Sequence, residues 1–181
     1  QRAAVFCDNA ECAYYDIYLC MGGYKMKINV VCVGKIKEKY FTDAINEYAK
    51  RISRFAEFKV IECAEFPVKN QSAAEVLQSV EKEGEKILEC VKGYVILTAI
   101  DGKMLDSVEI SRLMSVKMTE GVSEITFVIG GSNGVSDKVK NRADFKISFG
   151  KATYPHQLIR VILSEQIYRA FSIMNNLPYH K

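Results

Sequence analysis

The sequence predicts an α/β fold, a mostly parallel sheet flanked by helices, and two observations carry that expectation. Short, continuously apolar runs alternate along the chain with longer segments of helical periodicity. Strands that are apolar throughout, rather than on alternate residues, belong to a sheet covered on both faces, which is the signature of parallel pairing. The strands are expected at 27–33 (KINVVCV), 58–63 (FKVIEC), 94–100 (YVILTAI), 124–130 (EITFVIG) and 145–149 (FKISF). Helical patterns fall near 38–55, 71–91, 106–119 and 136–142, and a long one runs from about 155 to 174.

The last helix has the clearest pattern. Pro155 suits a first turn, where its missing N–H leaves nothing unsatisfied. Leu158, Ile159, Ile162, Leu163, Gln166, Ile167, Ala170, Phe171 and Met174 make one broad apolar stripe. Glu165 and Arg169 stand at i, i+4 and can pair. Such a stripe packs on the sheet or meets a second copy of the chain, and periodicity alone does not choose.

Composition narrows the class. With 181 residues, half of them hydrophobic and a quarter charged, the chain has the balance of an ordinary globular domain. No apolar run approaches the ~20 residues that span a bilayer. Residues 1–25 hold Cys7, Cys12 and Cys20 and lack the basic start and apolar stretch of a secretory signal. They read as an N-terminal extension, with one functional domain over 26–181 starting at Met26. Cys32, Cys63 and Cys90 sit in apolar stretches, there is no CxxC pair, and only His156 and His180 could add imidazole. No metal site is expected, and a reducing compartment is. From 138 to 181, eight Lys or Arg residues face only Asp144 and Glu165. That basic quarter either meets a polyanion or is a solvated face.

In open α/β sheets, ligands sit beyond the carboxyl ends of the strands. Three small-residue loops fall there: "LTAIDGK" after the third strand, Gly130-Gly131-Ser132-Asn133-Gly134 after the fourth, and "FGKATYP" after the fifth. The glycine spacing fits neither G-x-G-x-x-G nor a Walker loop, so a dinucleotide or phosphate site is disfavoured. Glycines instead let backbone groups approach a heterocyclic ligand closely. Each loop taken singly is better read as an ordinary tight turn.

Taken together, "MKINVVCVGKIKEKYF", "FVIGGSNG" and "ISFGKATYPHQLIRVILSEQIYRAFSIMNNLPYHK" closely resemble the RlmH family, the 23S rRNA pseudouridine methyltransferases of the SPOUT superfamily. The resemblance spans 26–181 and implies a C-terminal trefoil knot, a rare exception to unthreaded chains. It also implies a cytoplasmic homodimer that uses S-adenosylmethionine to methylate position 3 of a pseudouridine on the assembled 70S ribosome. The family's donor contacts carry over to Thr98, where some members have Leu, and to Gly130, Phe149, Gly150, Lys151, Ala152, Thr153 and Tyr154. For the proton on the ring nitrogen, the candidate acceptors are His156, His180 and Glu165. Tyr179, His180 and Lys181 form a terminal tail that would reach the neighbouring pocket. Arg160 and Arg169 are candidates for RNA phosphate contacts, because a guanidinium binds phosphate in bidentate fashion. Two further readings are open: the same chemistry on tRNA or another rRNA site, and a silent ribosome-binding protein.

Overall fold

The computed structural model describes residues 25–70 and 72–180. The elements run β1 (Met26–Val33), α1 (Lys39–Ile52), β2 (Ala56–Cys63), α2 (Ala73–Cys90), β3 (Tyr94–Met104), α3 (Ser107–Thr119), β4 (Glu124–Ile129), α4 (Asp137–Arg142), β5 (Phe145–Ser148) and α5 (His156–Met174). All five strands join one sheet in the order β2-β1-β4-β3-β5, and every pairing is parallel. The expectation of a mostly parallel sheet is met by a wholly parallel one. The expected extension over 1–25 lies outside the described residues, apart from Lys25.

Three of the five helices, α2, α3 and α4, start where a side-chain acceptor meets a free N–H group. Ser72 accepts from the Glu75 N–H and Ser136 from the Val139 N–H. Asp106 and Glu109 complete a reciprocal capping box at α3. Helix α1 ends three residues before the periodicity suggests. Phe55 continues the apolar pattern, but it belongs to a turn and stacks on Phe171 with ring centroids 5.6 Å apart. Pro155 stands just outside α5 as its N-cap.

Two apolar layers hold the sheet. On one face Ile28, Val30, Ile96 and Phe127 pack against Ile52 of α1, Met114 of α3 and Leu163, Ile167 and Phe171 of α5. On the other, Val31, Val95, Leu97 and Val128 pack against Ile87 of α2 and Val139 of α4. The stripe of α5 is therefore core, wedged against both α1 and α3. Its remaining sides are half-buried rather than open, and no residue from His156 to Met174 is fully exposed.

The chain departs from simple periodicity at the end of β3. Residues Ile96, Leu97 and Thr98 pair with Phe145, Lys146 and Ile147 of β5. The chain then bulges through Ala99–Gly102 and returns, so that Lys103 also pairs with Ile147 and Met104 with Ser148. Gly102 makes this return possible. A Cβ there would fall 2.5 Å from the Ile147 carbonyl carbon and 2.8 Å from its nitrogen. Strand β5 has only four residues and is an edge of the sheet, as β2 is at the other side.

Candidate functional site

The three small-residue loops converge over the carboxyl ends of β3, β4 and β5 and enclose an open cleft of about 730 Å³. That is the size of a small-molecule or cofactor site. One wall is the β3 bulge from Thr98 to Asp101, a second is Gly130–Val135, and a third is the segment from Ser148 through Pro155, Lys151 excepted. His156 and Ile159 of α5 also line the cleft.

Each wall is held by local chemistry. Thr98 donates its hydroxyl to the Val128 carbonyl at 2.9 Å, so this side chain ties β3 to β4 and leaves backbone to face the cleft. In the second wall, Gly134 N–H donates to the Gly131 carbonyl at 3.1 Å, and Gly134 takes φ +90°, a conformation costly for any residue with a Cβ. A Cβ on Gly130 would fall 2.5 Å from Val135 Cγ1. In the third wall the Ser148 hydroxyl accepts from Gly150 N–H at 3.2 Å and donates to the Gly150 carbonyl at 3.1 Å.

Seven of the eight expected donor contacts line this cleft: Thr98, Gly130, Phe149, Gly150, Ala152, Thr153 and Tyr154. The Lys151 side chain is exposed and outside it. The apolar and small lining, with backbone groups at the glycines and an exposed Ile100 and Tyr154 at the rim, suits a flat heterocycle held by apolar contact and backbone hydrogen bonds. Shortening the β3 return should damage it. We expect Gly102→Ala to cost about 3 kcal/mol of stability, because the new methyl meets backbone rather than a flexible side chain. A matching loss of donor affinity by calorimetry would show that the bulge shapes the cleft; a variant with normal affinity would show that it does not.

Glu83 is a residue the sequence reading missed. It is only 5% exposed and lies on α2 behind the glycine wall. Its Oε2 lies 2.6 Å from where a Gly131 Cβ would be, and its Oε1 accepts from the Phe66 N–H at 3.0 Å. Burial pushes this carboxyl above the usual carboxylate range, against the opposing pull of that hydrogen bond. Only Gly84 beside it, packed hard on Ser136, hints in the sequence that α2 meets a loop here.

Of His156, His180, Glu165 and Tyr179, only His156 lines the cleft. Glu165 lies nine residues further along α5, which at ~1.5 Å per residue is over 13 Å away. There its carboxylate accepts from Arg169 at 2.6 Å, from Gln166 at 2.7 Å and from the Tyr179 hydroxyl at 3.1 Å. Tyr179 folds back on its own chain, edge-on to Tyr168 and under the Arg169 guanidinium. Burial pushes its phenol up to about 12, with Tyr48 and Glu165 adding to the rise, so it stays protonated at neutral pH. His180 is exposed at the end of the tail, and Lys181 lies outside the described residues.

Arg160 corrects an expectation. Arg160 is 0% exposed and offers no surface to a phosphate. Its Nη2 donates to the Val33 carbonyl at 2.6 Å and its Nη1 to Glu62 Oε1 at 3.2 Å, while Nε has no partner among the described residues. It faces inward from α5 because the stripe that buries Ile159 and Leu163 carries it inward too. Arg169 forms the expected i, i+4 pair with Glu165.

Cys32 and Cys63 are buried and Cys90 is half-buried, all as free thiols. Burial lifts Cys32 to about 11 and Cys63 to about 12, which makes both poor nucleophiles at neutral pH. Among the described residues no group of three His, Cys, Asp or Glu side chains is arranged to hold a metal ion, and no helix is long and apolar enough to cross a membrane.

The model of a family described as "Predicted SPOUT methyltransferase" matches residues 26–180. A ribosomal RNA large subunit methyltransferase H from Streptococcus uberis (strain ATCC BAA-854 / 0140J) is 50% identical over 159 residues, 86% of this chain and 100% of the relative. The protein of the same name from Streptococcus pneumoniae (strain CGSP14) is 49% identical with the same coverage. Among solved structures, a probable methylase family protein from Haemophilus influenzae Rd KW20 aligns with a TM-score of 0.48 at 15% identity, over 86% of this chain and 71% of that one.

Proposed function

Because the chain belongs to the SPOUT methyltransferase family, we propose that it methylates large-subunit ribosomal RNA from S-adenosylmethionine, at ring nitrogen 3 of a pseudouridine in 23S rRNA on the assembled 70S ribosome. The observation that carries the reading is the cleft over three strand ends, walled by backbone at Gly130, Gly131 and Gly150, in a chain half identical to relatives named for that RNA. Thr98, Gly130 and the segment Phe149–Tyr154, Lys151 excepted, would hold the donor.

When bound, the donor supplies an electrophilic methyl on a sulfonium, which leaves as a neutral thioether. The remaining work falls to the protein. The ring nitrogen is an imide and must give up its proton as the N–C bond forms, so a base has to stand beside it. His156 lines the cleft and has no competing hydrogen bond to a described residue, which supports it as the acceptor. Glu165 already accepts from three donors, and Tyr179 is held protonated, so both serve better as supports of the tail than as bases. In this reading the walls would hold nitrogen and methyl in line.

The active form in this reading is a homodimer in the cytoplasm, with the C-terminal segment threaded as a knot. The half-buried sides of α5, including Leu158, Val161 and Ile173, support a second copy packing there, as do the exposed Ile100 and Met104. The partner's tail would then complete the site.

The decisive experiment gives labelled S-adenosylmethionine and the protein to 70S ribosomes that lack the modification, and reads the digested RNA by nucleoside mass spectrometry. A new 3-methylpseudouridine is expected. Methylation of tRNA alone would overturn the substrate, and no transfer to either would overturn the activity.

A further inference from the structure

Resting on that RNA-methylating role, we propose that the β1–α1 loop and the first turn of α1 form a preformed docking surface for the RNA phosphate backbone beside the target nucleotide, with Lys35, Lys37 and Lys39 as its contacts.

The loop leaves the carboxyl end of β1, on the same rim as the cleft. Val33 at that end lies against the glycine wall, its Cγ1 3.3 Å from where a Gly131 Cβ would be. Lys37 N–H donates to Gln157 Oε1 at 3.1 Å, which ties the loop to the first turn of α5 next to His156. Ile36 N–H donates to Glu62 Oε1 at 2.8 Å, the same oxygen that Arg160 engages. Arg160 also holds Val33, the last residue of β1. The buried arginine is therefore not itself a phosphate contact; it fixes the loop that presents them.

Exposed lysines without an ion pair also occur singly elsewhere, as at Lys50, Lys92 and Lys103, but here three fall within five residues. Lys59, Lys86, Lys117, Lys138, Lys140 and Lys146 each pair with a carboxylate. Lys35, Lys37 and Lys39 are exposed and make no ion pair with a described residue, and the segment's one acid, Glu38, leaves it a net positive charge. Tyr40 follows at 62% exposure, braced on Phe41 with centroids 4.4 Å apart, and gives an unstacked base a ring to lie on. Unpaired ammonium groups beside an exposed aromatic, on a backbone already held in place, suit RNA better than an acidic protein surface.

The test compares the full-length protein with a Lys35→Gln/Lys37→Gln/Lys39→Gln variant. Ribosome KM for transfer, ribosome binding by sedimentation, and donor affinity are measured across a salt series. A Lys92→Gln variant, at the opposite end of the sheet, is the control. Losing three phosphate contacts should raise KM about 10- to 50-fold near physiological salt and make the log–log salt slope shallower by about 2. Donor affinity and saturated rate should not change, and the corresponding triple arginine variant should restore binding. Unchanged KM and slope would overturn the proposal and leave the loop a solvated face. A raised KM with an unchanged slope would also overturn it, in favour of contact with a ribosomal protein. If no variant transfers methyl but sedimentation shows the loop-dependent salt slope, the enzymatic reading falls and the surface stands.

Discussion

Arg160→Met should destabilise the fold by about 3 kcal/mol, lowering the midpoint of thermal unfolding by roughly 10 °C. The guanidinium is fully enclosed, so its removal strands the Val33 carbonyl and takes a partner from Glu62. Methionine fills much of the volume but donates nothing, and an acceptor left unmade in the interior costs more than the bond itself gained. Glu62→Gln should cost less, because that side chain is one-third exposed and water can replace the lost charge. Chemical denaturation of both variants checks the order. Equal losses would mean that the ion pair, rather than the Val33 contact, holds the loop. A loss below about 1 kcal/mol for Arg160→Met would remove the clamp from the account.

Deleting Tyr179, His180 and Lys181 should reduce methyl transfer by at least a thousandfold while donor affinity stays within about twofold. That separation follows from the geometry: Tyr179 packs on Tyr168 and Arg169 and caps Glu165, none of which lines the cleft. Removing the tail therefore leaves the donor walls intact and takes away groups that would meet the substrate across the dimer. A local stability loss of about 1 kcal/mol is expected from the missing hydroxyl bond. Tyr179→Phe isolates that loss, and it should keep most of the activity if the tail's role lies in His180 and Lys181. Full activity in the deleted protein would refute a role for the tail in the reaction.

Much of this molecule is legible in its sequence. Runs such as KINVVCV and EITFVIG are apolar on both faces, so parallel pairing follows without reference to any partner strand. The cleft is legible as well, since glycines and small residues cluster where three strands end. What escaped depends on neighbours distant in sequence. The return of β3 onto Ile147 requires knowing that β5 lies outside β3, which the pattern of ILTAIDGK does not contain. Arg160 reads as a surface base next to Ile159, because its acceptors are Val33 and Glu62, about a hundred residues earlier. Glu83 escaped for the same reason: one of five glutamates in its helix, it looks solvated until the Gly131 loop closes over it.

An open sheet has two unpaired margins, each able to recruit a strand from another molecule and begin aggregation. Here both are defended. At one margin β5 is too short to template much pairing, and Lys146 carries a charge there, matched by Asp101 of the bulge at 3.4 Å. At the other, β2 sets Glu57 and Lys59 into solvent as an ion pair on its outer strand. The same bulge that shapes the cleft thus also acts as a gatekeeper, and neutralising Asp101 and Lys146 together would trade solubility in concentrated solution for no gain in binding.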